Sequence, residues 1–243
     1  MKASPADQLR LVEIAELDAA AHQAEHARQN PPQAARVKEL LAERQAQSGE
    51  LARLLGIRDD AKAELARIEA DVAVVDARAE RDAGRLTATT SAKDAQGLEH
   101  EIASLARRKT ALEDAELEVM ERLESLDSDV AAQEALVAAT NEEGSRLSAE
   151  GKAAVAEAAT RLEAAQRDRA AVAGSVSAEL LAMYERIAAR GIGAGVLRRQ
   201  TCEACRMVLS GNDLQRVRKA AADDVVTCPE CGAVLVRTDE SGL

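Results

Sequence analysis

The sequence has no phenylalanine and no tryptophan, and Tyr184 is its only aromatic residue, although apolar residues fill 47% of its 243 positions. A compact globule normally puts large rings at its centre, where each buries a large apolar area. With none to place, the chain is not built as one round core. Long hydrophobic runs are missing as well. No stretch reaches the length that crosses a bilayer, and no apolar leader follows Met1-Lys2-Ala3-Ser4-Pro5, so the reading is a cytoplasmic protein with no membrane contact. Positive charge is outnumbered, with 32 lysines and arginines against 43 aspartates and glutamates. A formal net charge of −11 excludes a molecule that wraps nucleic acid along its whole surface and leaves room only for a local contact. No serine, histidine and acid constellation suggests nucleophilic catalysis, which argues against an enzyme and against a small-molecule substrate. His22 and His26 stand one helical turn apart beside Glu25 and read as a solvated face, and His100 stands alone.

What is present is mostly alanine, leucine and charge, with charged residues at 31%. That is the composition of long helices joined by narrow seams. Apolar or small residues recur at steps of three and four through Leu51, Leu54, Ala61, Leu65, Ile68, Val72, Val75, Ala79 and Leu86. A second seam runs through Leu98, Ile102, Leu105, Leu112, Val119, Leu123, Leu126, Val130 and Val137. Arg58, Asp82, Lys109, Glu116 and Gln133 interrupt the seams. Between them Thr87-Ala88-Thr89-Thr90-Ser91 weakens helix and offers hydroxyl caps, which places a hairpin turn near 87–92.

Antiparallel pairing about that turn makes facing residues carry numbers that add to roughly 184. Asn30-Pro31-Pro32 must interrupt the first arm. Opposite it, Gly144 and Gly151 predict a bend of the second arm at 144–151. Two arms of about 80 residues would make a rod on the order of 120 Å long at about 1.5 Å per residue. The alternative is a folded-back three-helix bundle with residues 5–29 as a separate helix. The second arm is expected to continue through Val155, Leu162, Val172, Val176, Leu180 and Ile187 and to stop at Gly191-Ile192-Gly193-Ala194-Gly195, read as a glycine hinge. That run follows a helix and lacks a Gly-Lys-Ser/Thr ending, so it is not a phosphate loop. The domain reading is a hairpin over 1–190, a hinge over 191–195 and a separate small domain over 196–243.

All four cysteines lie in that last segment, as Cys202-Glu203-Ala204-Cys205 and Cys228-Pro229-Glu230-Cys231. Two residues between cysteines let both sulfurs point at one ion, and two such turns complete the tetrahedron that zinc accepts. Four protein ligands leave no open position, so one structural Zn2+ is expected, not a catalytic one. Iron is the rival ion, but rubredoxin-like folds rely on aromatic packing that this segment lacks. A redox dithiol is the other reading, and the second pair argues against it. Gly232 fits directly after the second pair, where a positive φ lets backbone N–H groups approach sulfur. Short strands are expected at 195–200, 225–227 and 233–237, with Asn212-Asp213 capping a helix from Leu214 to about Ala222. With so few large apolar residues, metal should supply most of the folding free energy of this segment. Met183 and Tyr184 are read as packing the junction between hairpin and ribbon.

The segment Lys93-Asp94-Ala95-Gln96-Gly97-Leu98-Glu99-His100-Glu101-Ile102, with Leu112-Glu113-Asp114, Leu117-Glu118-Val119-Met120-Glu121 and the cysteine motifs from Thr201 to Cys205 and from Cys228 to Gly232, resembles bacterial proteins that join a coiled-coil hairpin to a C-terminal C4-type zinc ribbon. The ending Leu235 to Leu243 is similar to actinobacterial members. Thr89-Thr90-Ser91-Ala92 departs from the Asn-Pro that often precedes the second arm in that family. The resemblance implies a mainly α fold and an adaptor role. Its relatives are associated with an alternative sigma factor, with export components and, in one lineage, with messenger RNA.

Two functional classes follow. The first is a non-enzymatic adaptor that uses the coiled coil for protein partners and the ribbon as a docking head. Glu113, Asp114, Glu116, Glu118, Glu121, Glu124, Asp127 and Asp129 crowd one stretch that holds only Arg122, which repels nucleic acid and suits either a solvated face or a basic partner helix. The second is a nucleic-acid-binding regulator acting through Arg198, Arg199, Arg206, Arg216, Arg218 and Lys219, which equally serve to offset the negative charge of four thiolates on one zinc.

Overall fold

The computed structural model describes residues 1–243. Its architecture is mainly α, a long antiparallel coiled-coil hairpin with a small C-terminal ribbon. In chain order the elements are α1 (Pro5–Gln29), α2 (Ala34–Ala88), α3 (Ala92–Ala173), α4 (Ala178–Ala188), β1 (Ala194–Arg198), β2 (Thr201–Cys202), α5 (Gly211–Lys219) and β3 (Val234–Arg237), followed by a 3-10 turn over Asp239–Ser241. The chain divides into two compact units, Ala35–Ser148 and Met1–Ala34 together with Ala149–Leu243. We call the first the shaft and the second the head.

In the shaft, α2 and the first two thirds of α3 pair through a narrow seam. Ala61, Val119, Leu123 and Leu126 form its buried centre, with Leu65 and Ile68 packed against them. Alanine and valine suit this line because small side chains let two helices approach closely with few rotamers to freeze. Cross-arm pairs fix the register: Arg58 with Asp127, Glu64 with Arg122, Asp76 with Lys109 and Arg78 with Glu101. In each pair the residue numbers add to within a few of the value that an antiparallel hairpin requires. Four of the polar interruptions of the seam, Arg58, Asp82, Lys109 and Gln133, find partners. Asp82, only 7% exposed, lies beside Arg78 and Arg85, and Gln133 Nε2 donates to the Gln47 carbonyl at 2.9 Å. The connection is three residues long, and Ser91 opens α3 by accepting the Asp94 N–H on Oγ at 3.4 Å.

The head differs from the expectation in three places, each with a physical reason. α3 runs through Gly144 and Gly151 to Ala173 without a break in the helix, so the two glycines do not interrupt this arm. A helical glycine costs only about 1 kcal/mol, which the packing of a long helix absorbs. At this level only the first arm is interrupted, between Gln29 and Ala34 at the prolines. α3 then stops at Ala173, and Gly174-Ser175-Val176-Ser177 separates it from α4, so the second arm does not continue as one helix to Ile187. Ser177 caps α4 by accepting the Leu180 N–H. Finally, in the run expected to be a glycine hinge, Gly193-Ala194-Gly195 is packed structure, whereas Gly191 and Ile192 are exposed. A Cβ on Gly193 would collide with the Tyr184 ring, one on Gly195 would lie 2.8 Å from the Ala204 nitrogen, and Gly195 itself belongs to β1. These glycines are required by close approach, not by flexibility.

The sheet has the order β2-β1-β3, with β1 antiparallel to β2 and parallel to β3. Val225-Val226-Thr227 forms no regular strand and contributes one bridge, Thr227 with Val234. α5 begins earlier than expected, at Gly211 with Ser210 as its cap, and ends at Lys219. One face of the sheet packs on helix: Leu11 and Ile14 of α1, Leu180 and Tyr184 of α4, and Ala194, Val234 and Val236 share one core. Residues far apart in sequence also join by backbone. Ala3 N–H donates to the Asp223 carbonyl at 2.8 Å and Val225 N–H to the Met1 carbonyl at 3.1 Å. Buried Gln8 ties the two together, donating from Nε2 to Ala3 O at 2.9 Å and Ala222 O at 3.2 Å. The ribbon is therefore built onto α1 and α4 and is not a free-standing domain that starts at 196.

Candidate metal centre

Two similar turns carry the four cysteines. In the first, Cys202 N–H donates to Met207 O at 2.9 Å and Arg206 N–H to Cys202 O at 2.7 Å. In the second, Cys228 N–H donates to Ala233 O at 2.8 Å and Gly232 N–H to Cys228 O at 2.9 Å. The residue after the second cysteine of each turn is left-handed, with φ 61° at Arg206 and 77° at Gly232. Gly232 is the residue type that this backbone favours. Arg206 adopts the same conformation at a cost of roughly 1 kcal/mol, and no composition signal in the sequence marks it.

The turns bring Cys202, Cys205, Cys228 and Cys231 together with all four sulfurs within 4.8 Å of one another. Cys205 Sγ and Cys228 Sγ are 3.9 Å apart, close to the roughly 3.8 Å edge of a tetrahedron with zinc–sulfur bonds of about 2.3 Å. No disulfide links them. Cys202 and Cys228 are buried against Leu197, Leu209, Leu214, Val217 and Leu235, whereas Cys231 is exposed. Burial pushes the Cys202 thiol up to about 12 in spite of N–H donors at Cys205 and Ala204. At Cys205 burial acts in the same upward direction, but the Met207 N–H and the neighbouring thiols outweigh it and hold this thiol below its ordinary value. Cys231 is raised by burial, against the Ala233 N–H. One thiol that ionises readily among others that resist it is a site in which a dication stabilises thiolates that the protein alone does not. Backbone N–H groups already aimed at three sulfurs provide the outer hydrogen bonds that orient metal ligands. The donor set therefore fits one zinc held structurally, with every coordination position taken by protein.

A model of the CT398-like coiled coil hairpin domain matches residues 14–192, and one of the C4-type zinc ribbon domain matches residues 201–235. The chain belongs to the CT398-like coiled coil hairpin family. Neither matched domain is an enzyme family. A Mycobacterium tuberculosis protein, "Uncharacterized protein Rv2229c", is 36% identical over 98% of each chain, and Mycobacterium leprae "Uncharacterized protein ML1638" is 27% identical over 90% of this chain and 94% of its own. A solved structure from Mycobacterium smegmatis is similar with a TM-score of 0.80 at 33% identity, covering 98% of this chain and all of that one. CT398 from Chlamydia trachomatis shares the fold alone, with a TM-score of 0.51 at 14% identity.

The six basic residues singled out in the ribbon do not form one patch of free charge. Arg198 is paired with Glu203 at 3.1 Å and Glu240 at 2.8 Å, and Arg216 with Asp213 at 3.0 Å. Arg199 stands with Gln200 in a tight turn between β1 and β2, both at positive φ. Arg206, Arg218 and Lys219 are exposed. The sequence reading missed two residues that hold the site in place. Arg237 donates to the carbonyls of Val217, Ala220, Ala221, Ala222 and Asp224 and so fixes the segment after α5. Ser241 Oγ donates to Leu197 O at 2.8 Å, tying the chain end to the core strand. Tyr184, only 1% exposed, donates to Asp18 at 2.7 Å, and Arg169 donates to the same carboxylate at 2.6 Å. That network joins α1, α3 and α4 beneath the sheet.

Proposed function

We propose that this protein is a non-enzymatic cytoplasmic adaptor whose hairpin binds protein partners and whose zinc ribbon is a second docking head. One observation carries the reading: large apolar side chains stand in solvent along the shaft, with Leu41 53% exposed, Val74 65%, Leu117 59% and Leu136 52%. They lie off the seam that joins the arms, and an exposed apolar residue on a helix face is what a partner helix covers. A closed four-sulfur site supports the same reading, since it builds a surface and offers no position for substrate. No helix is long and apolar enough to cross a membrane. The test is capture from native lysate on the zinc-loaded full chain, beside a Leu117→Glu, Leu136→Glu variant, with each retrieved protein then purified and titrated against both. Binding that the variant loses is the expected result. Retrieval that is equal on both, or absent, removes the adaptor role from the shaft.

A nucleic-acid regulator is the second reading, favoured by Arg199, Arg206, Arg218 and Lys219, which have no carboxylate partner on the ribbon. Phosphate contact by these residues would give affinity that falls with salt. Single-stranded RNA and duplex DNA titrated at low and high salt test it, with Arg218→Glu, Lys219→Glu as the variant. Arg206→Gly removes another charge and keeps the left-handed turn. Loss of binding in these variants supports the reading, and binding that they leave unchanged sinks it.

A further inference from the structure

A cavity of about 680 Å³ opens beside the second cysteine turn, lined by Met183, Arg186, Ile187 and Arg190 of the α4 end and by Cys231 and Gly232. Met183 and Ile187 pack partly on the core and present an apolar floor. Arg186 and Arg190 stand one turn apart at its rim, exposed. Arg186 Nε reaches only the Ala182 carbonyl, at 3.3 Å, and neither guanidinium has a carboxylate partner. Two unpaired cations over an apolar floor, on a chain of net charge −11, are complementary to an acidic surface that carries an apolar anchor.

The same chain displays such a surface. On the outer face of α3, Leu117 is 59% exposed and Met120 43%. Glu113, Asp114, Glu121 and Glu124 are exposed one turn away on either side. Of these carboxylates only Glu113 is paired, with Lys109 at 3.7 Å. We propose that a second copy of this chain docks its Leu117–Met120 face in the head cavity, with its carboxylates on Arg186 and Arg190. One contact then covers exposed apolar side chains on both copies and neutralises the two free guanidinium groups. The contact is heterologous, so it pairs copies where it is made reciprocally and strings them together where it is not. It is small and charge-rich, so the association is weak and fades as salt shortens the reach of the charges.

Sedimentation of the zinc-loaded full chain over a wide concentration range, at about 0.05 M and about 0.5 M salt, reads this out. The wild type associates as concentration rises, more so at low salt. Arg186→Glu, Arg190→Glu weakens association at least tenfold, as does Glu121→Arg, Glu124→Arg, with zinc content and helicity unchanged in both. Met120→Glu gives the same loss through the shaft alone and carries the test should the head variant lose its metal. Mixing the two charge-reversed proteins restores association, because the wild-type head of one then meets the wild-type shaft of the other and the two reversed surfaces are complementary as well. A wild type that stays monomeric throughout, association that neither reversal weakens, or a mixture that stays dissociated would each overturn the proposal.

Discussion

Shaft and head solve the same shortage of large apolar residues in opposite ways. The shaft repeats a thin contact many times: its buried positions are small or singly placed, such as Leu54, Ala61, Val119 and Val130. Each step adds a little and depends on few others, and polar residues such as Asp82 and Gln133 are tolerated wherever a partner is in reach. The head concentrates everything. Tyr184, Leu11, Ile14, Leu180, Leu197, Leu235, Val234 and Val236 are all under 2% exposed, and four sulfurs stand where a larger domain would place further side chains. A repeated contact degrades gradually, whereas a core pinned by one metal and one ring is lost as a unit.

The strongest way to break that comparison is to take away the metal. Chelation, or Cys228→Ser, is expected to unfold the ribbon and also to free α1 and α4, because β1 and β3 form part of their core. The shaft should keep its helicity. Zinc stoichiometry, far-UV circular dichroism and Tyr184 fluorescence, recorded together, check this, and a Tyr184 signal unchanged on metal loss would separate the ribbon from the helices. Next in size is Tyr184 itself. Tyr184→Ala should cost the head about 3–5 kcal/mol, and Tyr184→Phe about 1–3 kcal/mol by leaving Asp18 short of a donor. Burial first, and then the hydrogen bond to Asp18, raise the Tyr184 hydroxyl above its ordinary value of 10.0, against the Arg169 guanidinium, while Glu185 adds to the rise. The fold therefore favours the neutral phenol. This contribution is complete below pH 10 and declines as pH rises above it, since the unfolded chain ionises first. Phenolate absorbance reports a single residue here, and its appearance should coincide with loss of the head.

The smallest effects sharpen the comparison by sign. Gly193→Ala puts a methyl group into the Tyr184 ring and should destabilise the head by about 1–3 kcal/mol. Gly97→Ala and Gly144→Ala meet open space in a helix and should each stabilise the shaft by about 0.5–1 kcal/mol. Paired thermal melts of the three variants decide it, and a shift of the same sign in all three would remove the distinction.

How much of this was readable before the structure follows the same division. Spacing of three and four along each arm and two Cys-x-x-Cys pairs carry the fold class, because both are local patterns that need no knowledge of the other end of the chain. Gly193 and Gly195 looked flexible because sequence shows what a glycine permits and not what presses against it. The break after Ala173 did leave a signal, Ser177 ahead of α4, but apolar periodicity running on through Val176 and Leu180 outweighed it. Arg237 was invisible as a brace, since a guanidinium that serves five carbonyls looks like any other surface charge. The attachment of Met1–Ala3 beside Asp223 combines backbone hydrogen bonds with the Lys2–Asp223 ion pair, and two charges so far apart in sequence carry no spacing that marks them as partners.

That attachment has a consequence for the order in which the protein is made. Lys2 and Asp223 are 221 positions apart, so residues 1–3 leave the ribosome long before the segment that holds them. The arms of the shaft meet around a three-residue connection and can zip as soon as both emerge, whereas the head closes the longest loop the chain contains. Until then Leu11 and Ile14 have Val176, Leu180 and Tyr184 beside them but lack Val234 and Val236, and a nascent chain stalled before β3 would carry a finished shaft and an open, sticky head.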